Sequence, residues 1–192
     1  MKLAIIKSSP RENGNTNTLL SYFLDELNTI EDVTYTVTDL TKLDISPCIA
    51  CRECQKDWSR FSCQFHDGMY EVSDRIMEAD LILLATPIYS WYCTPPMKAM
   101  LDRLVYGMNK YYGDEKGPSI WKGKKVSLFL TCGYPIENGT GLFEEGIRRF
   151  CRHSGLTYTG KFAERHMGYS TVFLDDDKIR HAREFAHILT EK

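Results

Sequence analysis

Long apolar runs are missing from this sequence. The longest, around Leu81 to Ala85, is far too short to cross a bilayer. The opening Met1-Lys2-Leu3-Ala4-Ile5-Ile6-Lys7 holds too short an apolar run for a signal peptide. A basic excess is missing as well: 24 Lys and Arg stand against 26 Asp and Glu, a formal net charge of −2, which disfavours binding to a nucleic-acid backbone. Neither the Walker lysine pattern nor G-x-G-x-x-G occurs, so the triphosphate and dinucleotide fingerprints both fail. The five histidines, at 66, 153, 166, 181 and 187, lack metal-ligand spacing and are read as surface or structural. His181 and His187 do not even share a helix face. No internal repeat, linker or low-complexity tract is present. These absences describe a cytoplasmic protein with neither a nucleic-acid nor a membrane partner.

What remains is an ordinary globular composition, 43% apolar and 26% charged over 192 residues, enough for one domain with a real core. Seven cysteines in a cytoplasmic chain point away from a disulfide framework and towards metal, redox or buried thiols.

Strand-like and helix-like stretches alternate. Strands are read at Leu3 to Ile6, Val33 to Val37, Leu81 to Thr86, Val126 to Thr131 and Leu156 to Phe162. Helices are read at Thr18 to Leu27, Met69 to Met77, Pro95 to Met108, Leu142 to His153 and Asp177 to Leu189. Met69, Val72, Ile76 and Met77 share one face of the second helix. Met97, Met100, Leu101, Leu104, Val105 and Met108 form one stripe on the third, with Thr94 as its cap and prolines in its first turn. Such alternation predicts an α/β protein whose parallel sheet is covered by helices on both faces. Five strands at this length match a doubly wound sheet of order 2-1-3-4-5, with ligands bound beyond the carboxyl ends of its strands at the switch point.

That rule singles out three loops. Ser8-Ser9-Pro10-Arg11-Glu12-Asn13-Gly14-Asn15-Thr16-Asn17 runs from the first strand into the first helix. Hydroxyls, amides and unpaired backbone N–H groups at a helix N-terminus suit a single phosphate, the plainer reading being a polar turn with a helix cap. Thr86-Pro87-Ile88-Tyr89-Ser90-Trp91-Tyr92-Cys93-Thr94 carries three aromatics that can stack on a flat heterocycle or fold back into the core. Thr131-Cys132-Gly133-Tyr134-Pro135 adds a glycine for close backbone approach and another aromatic.

Taken together, SSPRENGNTNTLL, ATPIYSWYCTPPMKAMLDRL and TCGYPIENG resemble the NADPH-dependent FMN reductase and iron–sulfur flavoprotein branch of the flavodoxin-like proteins. The resemblance reaches to about the fourth helix. It implies one flavodoxin-like FMN-binding domain over residues 1–192, with residues 47–67 as a cysteine-bearing insertion. It implicates Ser9, Arg11, Asn15, Thr16 and Asn17 at the FMN phosphate. Pro87, Ile88, Tyr89, Ser90 and Trp91 would line the isoalloxazine, and Thr131, Cys132, Gly133 and Tyr134 would complete the pocket. It implies hydride transfer from NAD(P)H to flavin N5 and electron delivery to a flavin, quinone or iron–sulfur acceptor, small molecule or protein. No general acid or base is nominated, because the flavin carries the chemistry. It also implies a homodimer through helices such as PPMKAMLDRL. The rival on the same fold is a non-enzymatic electron carrier. A phosphorylatable receiver domain is excluded, since the first strand ends Lys7-Ser8-Ser9 without the acids its metal needs.

Cys48, Cys51, Cys54 and Cys63 read C-x2-C-x2-C-x8-C. Four thiolates of this kind suit a [4Fe–4S] cluster or a tetrahedral zinc. The iron–sulfur branch of the family carries a compact run beside the flavin, with a shorter last gap; related flavin reductases keep similar cysteines without any cluster. Cys54 and Arg60 also have Cys-x5-Arg spacing, but the intervening residues include no glycine to let amides converge on phosphate. Cys93, Cys132 and Cys151 are scattered and are assigned no metal.

Overall fold

The computed structural model describes residues 1–168 and 170–191. Among these residues five strands and five α-helices follow in order: β1 (Lys2–Lys7), α1 (Asn15–Leu27), β2 (Thr34–Asp39), α2 (Met69–Glu78), β3 (Leu81–Pro87), α3 (Pro95–Met108), β4 (Lys125–Cys132), α4 (Ile136–Ser154), β5 (Thr157–Arg165) and α5 (Asp176–Thr190). All strand pairs are parallel and the sheet order is β2-β1-β3-β4-β5, the flavodoxin-like arrangement expected from the alternation.

Alternation along β1 shows how the sheet is held. Leu3 and Ile5 face one side, where Leu19, Leu20 and Phe23 of α1 meet Ala182 and Phe185 of α5. Ala4 and Ile6 face the other, against α2, α3 and α4 through Ile76, Met97, Met100 and Phe143. The central strands β1, β3 and β4 are apolar on both faces because both faces are covered. β2 lies at the edge, which leaves Val37 41% exposed.

The structure departs from the expected boundaries at some points. α4 starts at Ile136, six residues before Leu142, although Gly139 and Gly141 look like breakers. Gly139 packs closely there: a Cβ would sit 3.1 Å from the Cys132 sulfur, so glycine lets the first turn of α4 lie against the end of β4 without displacing that side chain. Met77 is 40% exposed and does not share the buried face of α2. Thr94 is the N-cap residue of α3 as expected, but its side chain makes no capping bond; its hydroxyl donates to the Ser8 hydroxyl at 2.7 Å. The methionine stripe of α3 is core, with Met97, Met100 and Met108 completely buried, so it is not a free surface for a second copy.

Residues 47–67 cross α3 and dock on it. The Phe61 ring fills the notch left by Gly107, where a Cβ would come 2.3 Å from the ring. Gln55 donates to the Tyr106 carbonyl at 2.7 Å and accepts from the Tyr112 amide. Gly107→Ala is expected to destabilise the fold by about 1–3 kcal/mol through overpacking, in spite of a helix-propensity gain of about 1 kcal/mol. In a Phe61→Ala background the same substitution is expected to become stabilising by about 1 kcal/mol, since only the propensity remains. Urea unfolding of the four proteins checks this; a cost of Gly107→Ala that survives removal of the ring contradicts the docking.

Candidate functional site

Three loops leave the carboxyl edge of the sheet and are tied to one another by buried polar bonds. The Thr16 and Thr131 hydroxyls lie 2.7 Å apart and join the first loop to the third. The Ile88 amide donates to the Thr131 carbonyl at 2.8 Å and joins the second to the third. The Thr94–Ser8 hydroxyl pair joins the second to the first. Around this knot opens a cleft of about 480 Å³.

In the first loop, the Gly14 amide donates to the Arg11 carbonyl, and Asn17 Nδ2 donates to the carbonyls of Arg11 and Glu12. Ser9, 5% exposed, bonds the Arg11 carbonyl too. Ser9 and Asn17 therefore build the turn, and Thr16 holds it to β4. Gly14 offers α1 no side-chain cap. Among the described residues no acceptor reaches the amides of Asn15, Thr16 and Asn17, so three N–H groups and the positive end of the helix dipole stay available to an anion. Asn15 and the exposed Arg11 line the cleft.

The second loop is a two-residue reversal. Tyr89 and Tyr92 exchange both backbone hydrogen bonds, at 2.8 and 2.9 Å, and Ser90 and Trp91 between them both have positive φ, 49° and 64°. Two successive non-glycine residues in the left-handed region cost on the order of 1–2 kcal/mol each. The strained turn divides the three aromatics. Tyr92 folds back edge-on to Phe143, with ring centroids 5.1 Å apart. Tyr89 and Trp91 stay 45% exposed at the cleft, where Trp91 stacks on Tyr134 at 5.5 Å. Pro87 and Ile88 form the wall behind them. In the third loop, Cys132 is buried, which pushes its thiol up, and its sulfur contacts the Tyr134 carbonyl at 3.3 Å. A Cβ on Gly133 would meet nothing within 4 Å, so protein packing does not require glycine there; a ligand lying on that backbone would.

The cleft is also lined by His166, read from the sequence as surface or structural, and by Met167 and Gly168, which the sequence did not single out. His166 ends its ring nitrogens on Asn15 Nδ2 at 3.2 Å and the Thr171 carbonyl at 3.0 Å, tying the segment after β5 to the start of α1. Its position just past the carboxyl end of the last strand was the available signal.

The four clustered cysteines line a second, more enclosed cavity of about 20 Å³ that shares no residue with the cleft. The segment reaches this shape through left-handed Ala50 and Arg52, at φ 55° and 63°. Donors point at the sulfurs: the Ala50 amide to Cys48 and Gln55 Nε2 to Cys54, each at 3.4 Å, and the Arg103 guanidinium lies against Cys63. Such N–H···S contacts favour thiolates. Burial raises the Cys54 thiol, with the Gln55 hydrogen bond and the Lys110 charge opposing it. Among the described residues no three His, Cys, Asp or Glu side chains are gathered closely enough for a single metal ion. Arg60 does not approach Cys54 as a phosphate loop would need; it is exposed and paired with Asp57. Arg103 pairs with Asp67 and donates to the carbonyls of Ser46 and Phe65. Burial alone would raise the Asp67 carboxyl, but Arg103 and the amides of Ser46 and Met69 hold it below its ordinary range. The scattered thiols Cys93 and Cys151 are pushed up to about 12 by burial.

The sequence pattern of the NADPH-dependent FMN reductase family matches residues 1–153. An iron–sulfur flavoprotein of Methanosarcina thermophila is 30% identical over 160 residues, 83% of this chain and 78% of that protein. An iron–sulfur flavoprotein of Methanocaldococcus jannaschii is 31% identical over 105 residues, 54% of this chain and 51% of that protein. The chain spans about half the length of this and other curated relatives it matches. Among solved structures, an NAD(P)H:quinone oxidoreductase from Methanothermobacter marburgensis superposes on all of this chain and 97% of its own, with a TM-score of 0.75 at 19% identity, a likeness of fold. No helix among the described residues is long and apolar enough to cross a membrane. The chain belongs to the NADPH-dependent FMN reductase family.

Proposed function

We propose that this chain, read as one domain over residues 1–192, is an FMN-dependent NAD(P)H oxidoreductase that delivers electrons to a flavin, quinone or iron–sulfur acceptor. The observation that carries the reading is the meeting of three unpaired helix-terminal amides and an aromatic, strained turn on one cleft. In this reading the amides of Asn15, Thr16 and Asn17, with Arg11, hold the FMN phosphate, while Ser9, Thr16 and Asn17 side chains shape the loop. Tyr89, Trp91 and Tyr134 flank the ring, the amides of Ser90 and Trp91 reach its edge, and Pro87, Ile88 and Gly133 give it a flat floor. Thr131 and Cys132 act from below by packing and hydrogen bonds. When bound, the flavin accepts hydride from the nicotinamide and passes electrons on. The chain's part is to orient the ring and keep its phosphate end fixed.

The four cysteines are read as ligands of a [4Fe–4S] cluster. The four thiols share one cavity, and the N–H donors aimed at two of them suit the negative charge of such a cluster. A homodimer would cover the exposed Tyr89, Trp91, Tyr134 and Met167 at the mouth of the cleft; a monomer mass by light scattering at micromolar concentration would refute it.

Anaerobically purified protein is expected to carry about one FMN per chain and to be bleached by NADH or NADPH; an unbleached flavin with both nucleotides would instead indicate a carrier. Iron is expected beside the flavin, and Cys51→Ser is expected to lose the broad iron absorbance while keeping FMN. Protein that takes up no iron on reconstitution returns the cysteines to plain thiols. At the phosphate loop, Asn15→Asp is nearly isosteric and can keep a bond to His166. Its charge is expected to weaken FMN binding by tenfold to a hundredfold, about 1–3 kcal/mol. The apoprotein should not lose stability, because a carboxylate at the start of α1 complements the helix dipole. Calorimetric FMN titration and thermal melting read the two effects separately; unchanged affinity would move the phosphate elsewhere.

A further inference from the structure

Lys110 follows α3 and is completely buried. Its ammonium has one hydrogen-bond partner, the Cys54 carbonyl at 2.8 Å, and forms no ion pair among the described residues. Two of its three N–H donors are thus left over. Burial pulls the Lys110 ammonium below its ordinary range, opposed by the nearby Cys54 and by Asp57, whose carboxylate is already engaged by Ser59 and Arg60. An isolated buried cation is costly unless an anion compensates it. A second, independent observation points the same way. Arg103 forms part of the wall of the cysteine cavity with its side chain 1% exposed, and its Nε donates to nothing in the structure. Two buried cationic side chains thus lie at the cysteine segment, Arg103 in the cavity wall and Lys110 on the Cys54 carbonyl, and only Arg103 has a carboxylate of its own.

We propose that Lys110 is the resident counter-cation of the cysteine pocket, a positioning residue whose uncompensated charge behind Cys54 favours the reduced state of the centre that Cys48, Cys51, Cys54 and Cys63 hold. This rests on the reading of those cysteines as cluster ligands. Reduction adds one electron, supplied by the reduced flavin or by dithionite in a titration, and takes up no proton. The centre's net charge becomes more negative by one, so a fixed positive charge beside it stabilises the reduced form more than the oxidised. Net charge and hydrogen bonds to sulfur are the terms by which a protein sets such a potential. The unpaired Nε of Arg103 supplies the hydrogen-bonding part from the opposite wall, while its own charge is offset by Asp67.

The test compares wild-type protein with Lys110→Met and Lys110→Gln, reconstituted anaerobically and loaded with FMN. In dye-mediated redox titration, both variants are expected to shift the one-electron equilibrium of the centre at least tenfold towards the oxidised form, about 59 mV. The flavin potential should stay in place, since the cleft shares no residue with the cysteine cavity. In metal-free protein, Lys110→Met is expected to be at least as stable as wild type, because it removes an uncompensated buried charge. A purely structural tie to the Cys54 carbonyl gives the opposite pattern: metal-free Lys110→Met melts lower, Lys110→Gln restores it through its remaining N–H, and the potential moves less than threefold. That pattern overturns the inference while leaving the cluster intact. Wild-type protein that takes up no iron, or takes zinc instead, overturns the underlying reading and this inference with it.

Discussion

The bond between the Thr16 and Thr131 hydroxyls fixes how the first and third loops face each other across the switch point of the sheet. Both residues are almost fully buried, so neither hydroxyl can exchange its partner for water without opening the edge of the core. Once that pair is made, the Ile88 amide can reach the Thr131 carbonyl, and Thr94 can reach Ser8. Three loops that are far apart in sequence then behave as one rim. The helix-terminal amides of α1 stay unpaired because the N-cap residue is Gly14, which has no side chain to cap them.

The second loop meets a local cost that the rim supports. Left-handed Ser90 and Trp91 are unfavourable by themselves, and the paired backbone bonds of Tyr89 and Tyr92 hold them there. The result is an indole and a phenol kept at the cleft mouth while Tyr92 anchors the same turn in the core through Phe143. An unstrained turn would have allowed all three rings to fold inward, where hydrophobic burial favours them.

The cysteine segment depends on a different contact. Gly107 opens a notch in α3, Phe61 fills it, and the Asp67–Arg103 pair closes the far end. Removing one partner of such a buried pair costs about 3–5 kcal/mol, so the segment is held to a specific course over α3 rather than lying loosely on it. That course brings together four thiols spaced over sixteen residues of sequence and sets Lys110 behind one of them.

By itself the sequence determined the sheet and its order, because buried parallel strands read as continuous apolar runs and amphipathic helices as stripes, both local patterns. It also determined which three loops face the ligand edge, since that follows from strand order, and it marked the cysteines by their spacing. Only the tertiary structure decided the rest. Whether a glycine breaks a helix or lets it approach depends on what lies opposite, as Gly139 against Cys132 and Gly107 against Phe61 show. Whether a polar residue in the first loop contacts a ligand or its own backbone depends on the turn, which assigned Asn17 and Ser9 to the backbone. Lys110 and Arg103 carry no signal in a one-dimensional pattern, because a buried charge is recognisable only through the desolvation it suffers and the partners it lacks.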